Sequence, residues 1–308
     1  MGRRLDVALA VLNGAVGDHL ARTGNGLAFA MAPYVHGEPV ALRRDALERA
    51  CPVATPRIVV LVHGLMNTED IFRMPSGEDY GTLLRSQLGY TPWYVRYNSG
   101  LPIADNGASL SSLLDALLSE HPVPVTELLL LGYSMGGLVV RAATHDAAGR
   151  DAPWLRKVRR AVYVGTPHRG APLERAGRVL TRAMRAIPDP YVQLAADLAA
   201  LRSEGLQDLG DADLRHEDRT RRTPRLGLRD ARHPVPLLPA LEHCLVAGTL
   251  SPDPWLAALF GDAVVPLRSA SGAGLEVSRL RVFPGLGHAA LPRSMEVWAQ
   301  LRAWCATP

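Results

Sequence analysis

Apolar residues recur at Leu5, Leu9, Leu12, Val16 and Leu20, close to helical spacing, and predict a helix over residues 5–22. The segments "LAFAMAPY" and "EPVAL" then flank "VHG", which predicts a hairpin near Gly37. The next apolar run, "RIVVLVHGL" from Arg57 to Leu65, is short and β-branched and runs into a glycine. Such a run, without polar alternation, reads as a strand buried on both faces.

From there the pattern alternates. A helix is predicted near Tyr80 to Leu88, then a strand "PWYVRYN" and a helix from Ala108 to Ser119. A strand "VTELLLLG", a helix from Gly136 to Asp146 and a strand "KVRRAVYVG" follow. Strands separated by helices need crossover connections, so the expected class is α/β, with a mostly parallel central sheet and helices on both faces. Residues 171–240 break the rhythm. They are rich in Arg, Asp and Pro, with amphipathic pieces such as "LERAGRVLTRAMRAI", and read as a mostly helical insertion between two core strands. The core resumes with "HCLVAG" and "RLRVFPG" and closes with a helix through Trp298 and Trp304. The expected organisation is one domain over residues 1–308. Residues 1–50 form its N-terminal helix and hairpin extension, and residues 171–240 form a cap or lid.

Composition narrows this picture only a little. With 47% hydrophobic and 21% charged residues, the 308-residue chain can bury a large core. The net charge is +4, and Lys157 is the only lysine. The arginines are interleaved with Asp and Glu, as in "EGLQDLGDADLRHEDRTRR", so no basic face for nucleic acid is expected. Cys51, Cys244 and Cys305 match no metal or redox spacing, which points to a reducing compartment. Asp6, Asn13 and Asp18 interrupt the apolar N-terminal stretch, so it does not read as a signal peptide. No run approaches the roughly 18 apolar residues of a membrane span. A cytoplasmic location is the expectation, and the sequence leaves the oligomeric state open.

The candidate chemistry centres on "LLLLGYSMGGLVV". Gly132-Tyr133-Ser134-Met135-Gly136 is a GxSxG match, which is weak alone in a chain with 28 glycines. Its context is stronger, because an apolar strand precedes it and an apolar helix follows directly. A sharp strand-to-helix turn strains the central serine and leaves no room for side chains two residues before and after it. Gly137 is expected to let the helix approach the sheet. The alternative is a plain glycine-rich turn or a phosphate-binding loop, but no Walker lysine follows.

A serine hydroxyl needs a base to remove its proton. In such folds the acid and then the histidine follow the serine in the chain. His288, in "FPGLGHAAL" between the last strand and the last helix, is the candidate base, with Gly285 and Gly287 allowing a tight loop. Asp262, in "LFGDAVVPLRSA", is the candidate acid that would hold the far nitrogen of His288. Asp253, in "SPDPW", is its rival. Backbone N–H groups of Met135 and of Leu65, with Met66 as second choice, are candidates for an oxyanion hole. His63 reads as a histidine that holds its loop rather than as a base. Met66, Tyr133 and His168 are expected to contact substrate.

This series of motifs, strand-HG-Leu, GYSMGG, "GTPHRG", "GDAVVPLRSA" and "GLGH", resembles the lipase-like branch of the α/β-hydrolase superfamily. Within it the chain is most similar to bacterial esterase/lipase proteins grouped with GPI-inositol-deacylase-like hydrolases. The resemblance runs from about Ile58 to Ala290. It implies an α/β-hydrolase fold, a triad of Ser134, Asp262 and His288, and a contribution of the HG-Leu loop to the oxyanion hole, which supports Leu65 beside Met135. It implies hydrolysis of a small-molecule or lipid ester, with no cofactor and no metal. The same machinery would serve a thioesterase, an amide hydrolase or a perhydrolase, and the fold also occurs as a non-catalytic receptor. "HGLMNTED" lacks the glycine-rich continuation common in secreted lipases. "NGAVGDHL" (Asn13–Leu20), "YNSG" (Tyr97–Gly100) and "RSEGLQDL" (Arg202–Leu209) also resemble recurring features of the group, and the sequence attaches no role to them.

Overall fold

The computed structural model describes residues 2–170, 203–211, 214–215, 235–251 and 261–306. Its strands are β1 (Ala32–Val35), β2 (Glu38–Pro39), β3 (Arg57–Val62), β4 (Thr91–Arg96), β5 (Glu127–Tyr133), β6 (Val158–Val164), β7 (Glu242–Thr249) and β8 (Arg279–Pro284). The helices are α1 (Gly2–Arg22), α2 (Arg44–Ala50), α3 (Tyr80–Leu88), α4 (Ile103–Glu120), α5 (Met135–Gly149), α6 (Glu204–Asp211), α7 (Leu267–Ala270) and α8 (Met295–Ala306).

The strands form one sheet in the order β2-β1-β4-β3-β5-β6-β7-β8. Every pair from β4 to β8 across that order is parallel. Alternate residues of the central strands feed two separate cores. Ile58, Val60 and Val62 of β3 and Leu128 and Leu130 of β5 pack beneath α4 and α5. Val59, Leu61, Leu129 and Leu131 pack on the opposite face against α3 and α8. Burying such side chains stabilises by roughly 1.5–3 kcal/mol each. This explains why the strands read as continuous apolar runs rather than alternating ones.

The N-terminal segment is more than an appendage. His36 (φ 52) and Gly37 (φ 83) make a two-residue turn of the kind that matches strand twist, and β1 then pairs antiparallel with β4, Tyr34 opposite Tyr94. Arg96 of β4 stacks its guanidinium 4.1 Å from the Tyr34 ring and pairs with Glu69 and Asp6, tying α1 to this edge. Helix α1 is kinked at Val16 (φ −139, ψ 21).

Two helices differ from the sequence expectation. α4 starts at Ile103, five residues before Ala108, because the Asp208 carboxylate of α6 accepts the Ile103 N–H at 3.0 Å. That is a cap supplied from 105 residues away, which local patterning does not reveal. α2 buries only Leu47 and so leaves no periodic signal. Of the cap insertion, residues 171–202 and most of 212–234 lie outside the described residues, including Leu180, Met184, Ile187, Leu194, Leu198 and Leu201, whose apolar spacing suggested a pocket lining. Among the described residues, no helix is long and apolar enough to cross a membrane.

The chain winds from β3 outward to β4, then returns to β5 on the other side of β3. Loops leaving the carboxyl ends of β3 and β5 therefore head to opposite sides, a topological switch point of the kind where open α/β sheets bind ligands.

Candidate active site

Ser134 stands at that switch point, at the junction of β5 and α5. Its backbone (φ 53, ψ −125) is strained for a residue with a side chain. The turn is held by Ser134 N–H, which donates to Val164 O of β6 at 2.8 Å. The flanking glycines are needed for close approach, partly for a reason other than the sequence expectation. A Cβ on Gly132 would stand 2.5 Å from Gly137 Cα, the collision across the elbow that the motif implies. A Cβ on Gly136 would instead stand 2.3 Å from both Val62 O and His63 O at the end of β3. A Cβ on Gly137 would itself meet Thr166 Oγ1 at 2.0 Å, in the loop after β6. Gly64 contributes to the same packing: its Cβ would lie 3.0 Å from Ser134 Cβ. Sequence reading missed this role of Gly64, although the "HG" pair carried the signal.

The structure brings Ser134, His288 and Asp262 into one hydrogen-bonded line. His288 Nε2 lies 2.9 Å from Ser134 Oγ, and His288 Nδ1 lies 2.7 Å from Asp262 Oδ2. The Asp262 carboxylate is fully buried, and its other oxygen accepts the N–H groups of Val264 (3.1 Å) and Val265 (2.8 Å). A carboxylate can only accept, so Nδ1 carries the imidazole proton and Nε2 is left to accept from the serine hydroxyl. His288 N–H also donates to Asp262 O at 2.9 Å, fixing one loop to the other. Gly285 takes the left-handed conformation (φ 82) that this turn requires. Gly287 (φ −75) does not, so only the first of the two glycines is there for its backbone freedom. The rival acid Asp253 lies outside the described residues.

His63 holds its loop. Its Nδ1 lies 2.8 Å from Gly64 O, Nε2 accepts Tyr97 N–H at 3.3 Å, and the ring stacks on Tyr97. Burial, reinforced by the Arg96 charge, lowers its pKa to about 4, so it is neutral near pH 7. On the same loop the N–H of Met66 is committed to Ser99 Oγ at 3.0 Å. The N–H groups of Leu65 and Met135 have no hydrogen-bond acceptor among the described residues.

The three residues expected to contact substrate are all buried, and their contacts are with the protein itself. Tyr133 packs against the His288 ring at 5.1 Å and donates its hydroxyl to His288 O at 3.3 Å. His168 sits edge-on to Tyr163 with its Nδ1 3.2 Å from Arg141 Nη1. Burial and the Arg141 charge hold its pKa well below the ordinary value. Met66, with φ 57, lies against Gly14 of α1. Among the described residues, no cluster of His, Cys, Asp or Glu is arranged to hold a metal ion.

Residues 59–301 match the sequence model of the alpha/beta hydrolase family. Among solved structures, the chain is similar to the mature form of the lipase BlEst2 of Bacillus licheniformis. The match has 17% identity and a TM-score of 0.54 and covers 83% of this chain and 95% of the lipase. It is also similar to the RedJ thioesterase of the prodiginine biosynthetic pathway in Streptomyces coelicolor, at 18% identity and a TM-score of 0.51. That match covers 82% of this chain and 91% of the thioesterase. No curated protein matches the sequence.

Proposed function

Given that the chain belongs to the alpha/beta hydrolase family, we propose that it cleaves carboxylic esters through an acyl-enzyme on Ser134. The observation that carries this reading is the line from a strained, nearly buried serine through His288 to a fully buried carboxylate, with each nitrogen of the imidazole engaged.

The geometry supports the following steps. As Ser134 Oγ attacks the carbonyl carbon, its proton passes to His288 Nε2, and Asp262 stabilises the imidazolium so formed. The carbonyl oxygen becomes an oxyanion, held by the N–H groups of Leu65 and Met135. Met135 is also the first residue of α5, so the helix N-terminus adds its partial positive charge at that point. His288 then gives the proton to the leaving alkoxide, and the ester C–O bond breaks. In the second half, water attacks the acyl-enzyme while His288 takes its proton. The carboxylic acid departs as that proton returns to Ser134. Donation of Met66 N–H to Ser99 favours Leu65 over Met66 as the second donor.

The test is a pair of experiments on the full chain. A fluorophosphonate probe is expected to label Ser134. Ser134→Ala is expected to abolish p-nitrophenyl ester hydrolysis while leaving the circular dichroism spectrum unchanged. Turnover retained in that variant would refute the assignment. A panel of acyl chain lengths, with thioesters alongside the esters, then sets the substrate class.

A further inference from the structure

The three motifs to which the sequence attached no role meet behind the oxyanion loop. Gly14 of α1 lies so close to that loop that a Cβ there would stand 2.2 Å from Met66 Cγ and 3.1 Å from Met66 N. A Cβ on Gly100 would stand 2.2 Å from Asn13 O, and one on Gly205 of α6 would stand 2.3 Å from Ser99 O. Gly205 N–H donates to Gly100 O at 2.9 Å, Ser203 Oγ donates to Gly14 O at 2.6 Å, and Asn98 Nδ2 donates to Gly17 O at 2.8 Å. Backbone rests on backbone at Gly100 and Gly205, while Gly14 is met first by the Met66 side chain, so the junction has little room to yield.

Ser99, only 1% exposed, sits where this junction touches the oxyanion loop. Its Oγ accepts the N–H of the Leu65–Met66 peptide, and the carbonyl of that same peptide accepts from Asn67 Nδ2 at 2.7 Å. With both of its polar groups held, the peptide plane cannot rotate. Met66 stays in a left-handed conformation that a residue with a side chain would otherwise leave. The preceding N–H, that of Leu65, is aimed by the same constraint, since it is one residue from the pinned plane and next to Gly64, where a Cβ would meet Ser134 Cβ at 3.0 Å.

We infer that Ser99 is a positioning residue for the oxyanion hole. It pins the Leu65–Met66 peptide against a scaffold of α1 and α6, so that Leu65 N–H faces the oxyanion and Met66 N–H does not. This rests on the ester-hydrolase reading above. It also gives the "NGAVGDHL", "YNSG" and "RSEGLQDL" segments one shared purpose.

The test compares Ser99→Ala with Ser111→Ala in the full chain. Ser111 is an equally buried serine of α4, and its hydroxyl accepts from Arg150 Nη2 at 2.6 Å, away from the oxyanion loop. Ser99→Ala is expected to lose about tenfold or more in kcat on p-nitrophenyl acetate, with KM within about twofold of wild type. Its affinity for an alkylboronic acid, which mimics the tetrahedral intermediate on Ser134, is expected to weaken by the same factor. Ser111→Ala is expected to keep both values. Gly14→Ala, which presses on Met66 from the other side, is expected to lower kcat as well. A wild-type kcat in Ser99→Ala, or an equal loss in Ser111→Ala, would overturn the positioning role. A wild-type chain that neither hydrolyses esters nor takes up a fluorophosphonate would instead bring down the hydrolase reading, and this inference with it.

Discussion

The two nitrogens of His288 are told apart by the residues on either side, and Asp262 decides which one carries the proton. Its Oδ1 is claimed by the N–H groups of Val264 and Val265, which leaves Oδ2 for His288. In Asp262→Asn those two donors still demand an acceptor, so the amide oxygen stays with them and the NH2 group faces His288 Nδ1. Nδ1 must then accept, the proton moves to Nε2, and Ser134 loses its base. The expected loss is on the order of 10^3- to 10^4-fold in kcat with an unchanged circular dichroism spectrum. Full activity in that variant would transfer the role to another acid, of which Asp253 is the sequence's other choice. The hydrogen-bonded line of Ser134, Asp262 and His288 was legible because each sits in a short glycine-bearing motif in the chain after a core strand. Ser99 was not, because its importance lies in a hydrogen bond to a residue 33 positions away.

At the scale of elements, the elbow between β5 and α5 depends on two backbones meeting without side chains between them. Gly136→Ala puts a methyl group 2.3 Å from the carbonyl oxygens of Val62 and His63, neither of which is free to swing aside. This variant is expected to lower Tm by several degrees, as overpacking costs typically about 1–3 kcal/mol, and to lose fluorophosphonate labelling. Gly149, the last residue of the same helix, meets nothing within 4 Å and does not have a positive φ. Gly149→Ala is therefore expected to raise stability by about 0.5–1 kcal/mol in chemical denaturation, through helix propensity alone. If both variants unfolded alike, a general sensitivity of α5 rather than the close approach at the elbow would be the cause. The strands and their connecting helices could be read from the sequence because burial on two faces leaves unbroken apolar runs. α1 was legible as a helix but not as a support for the site. Its contacts run through Gly14 and Gly17, whose missing side chains leave no mark on hydrophobic periodicity.

Across the whole molecule, alternation of strand and helix was enough to give the sheet class. It did not give the outward-then-back winding of β3, β4 and β5, which depends on pairings between segments far apart in sequence. Nor did it show that the N-terminal hairpin completes the sheet edge. The fold also buries several histidines in a neutral state, with a consequence for stability. Burial lowers the pKa of His63 to about 4 and depresses those of His121, His168 and His243, the nearby Arg141 charge adding to the effect at His168 and His243. In the unfolded chain these groups take up protons near pH 6.5, whereas in the folded chain they resist until lower pH. The unfolded state therefore binds more protons between those values, and stability falls as pH falls. The contribution is fully present above about pH 6.5 and, for His63, is lost progressively down to about pH 4. The gap between those pKa values is worth roughly 3 kcal/mol for His63. Calorimetry from pH 7.5 to 4.5 is expected to show Tm falling by about 5 °C or more. His63→Asn is expected to start from a lower Tm, because the bond from Tyr97 N–H is lost, and then to decline less steeply with acid. A wild-type Tm that stayed flat across that interval would mean the buried imidazoles are charged or that water reaches them, and the neutral, loop-holding role given to His63 would fail with it.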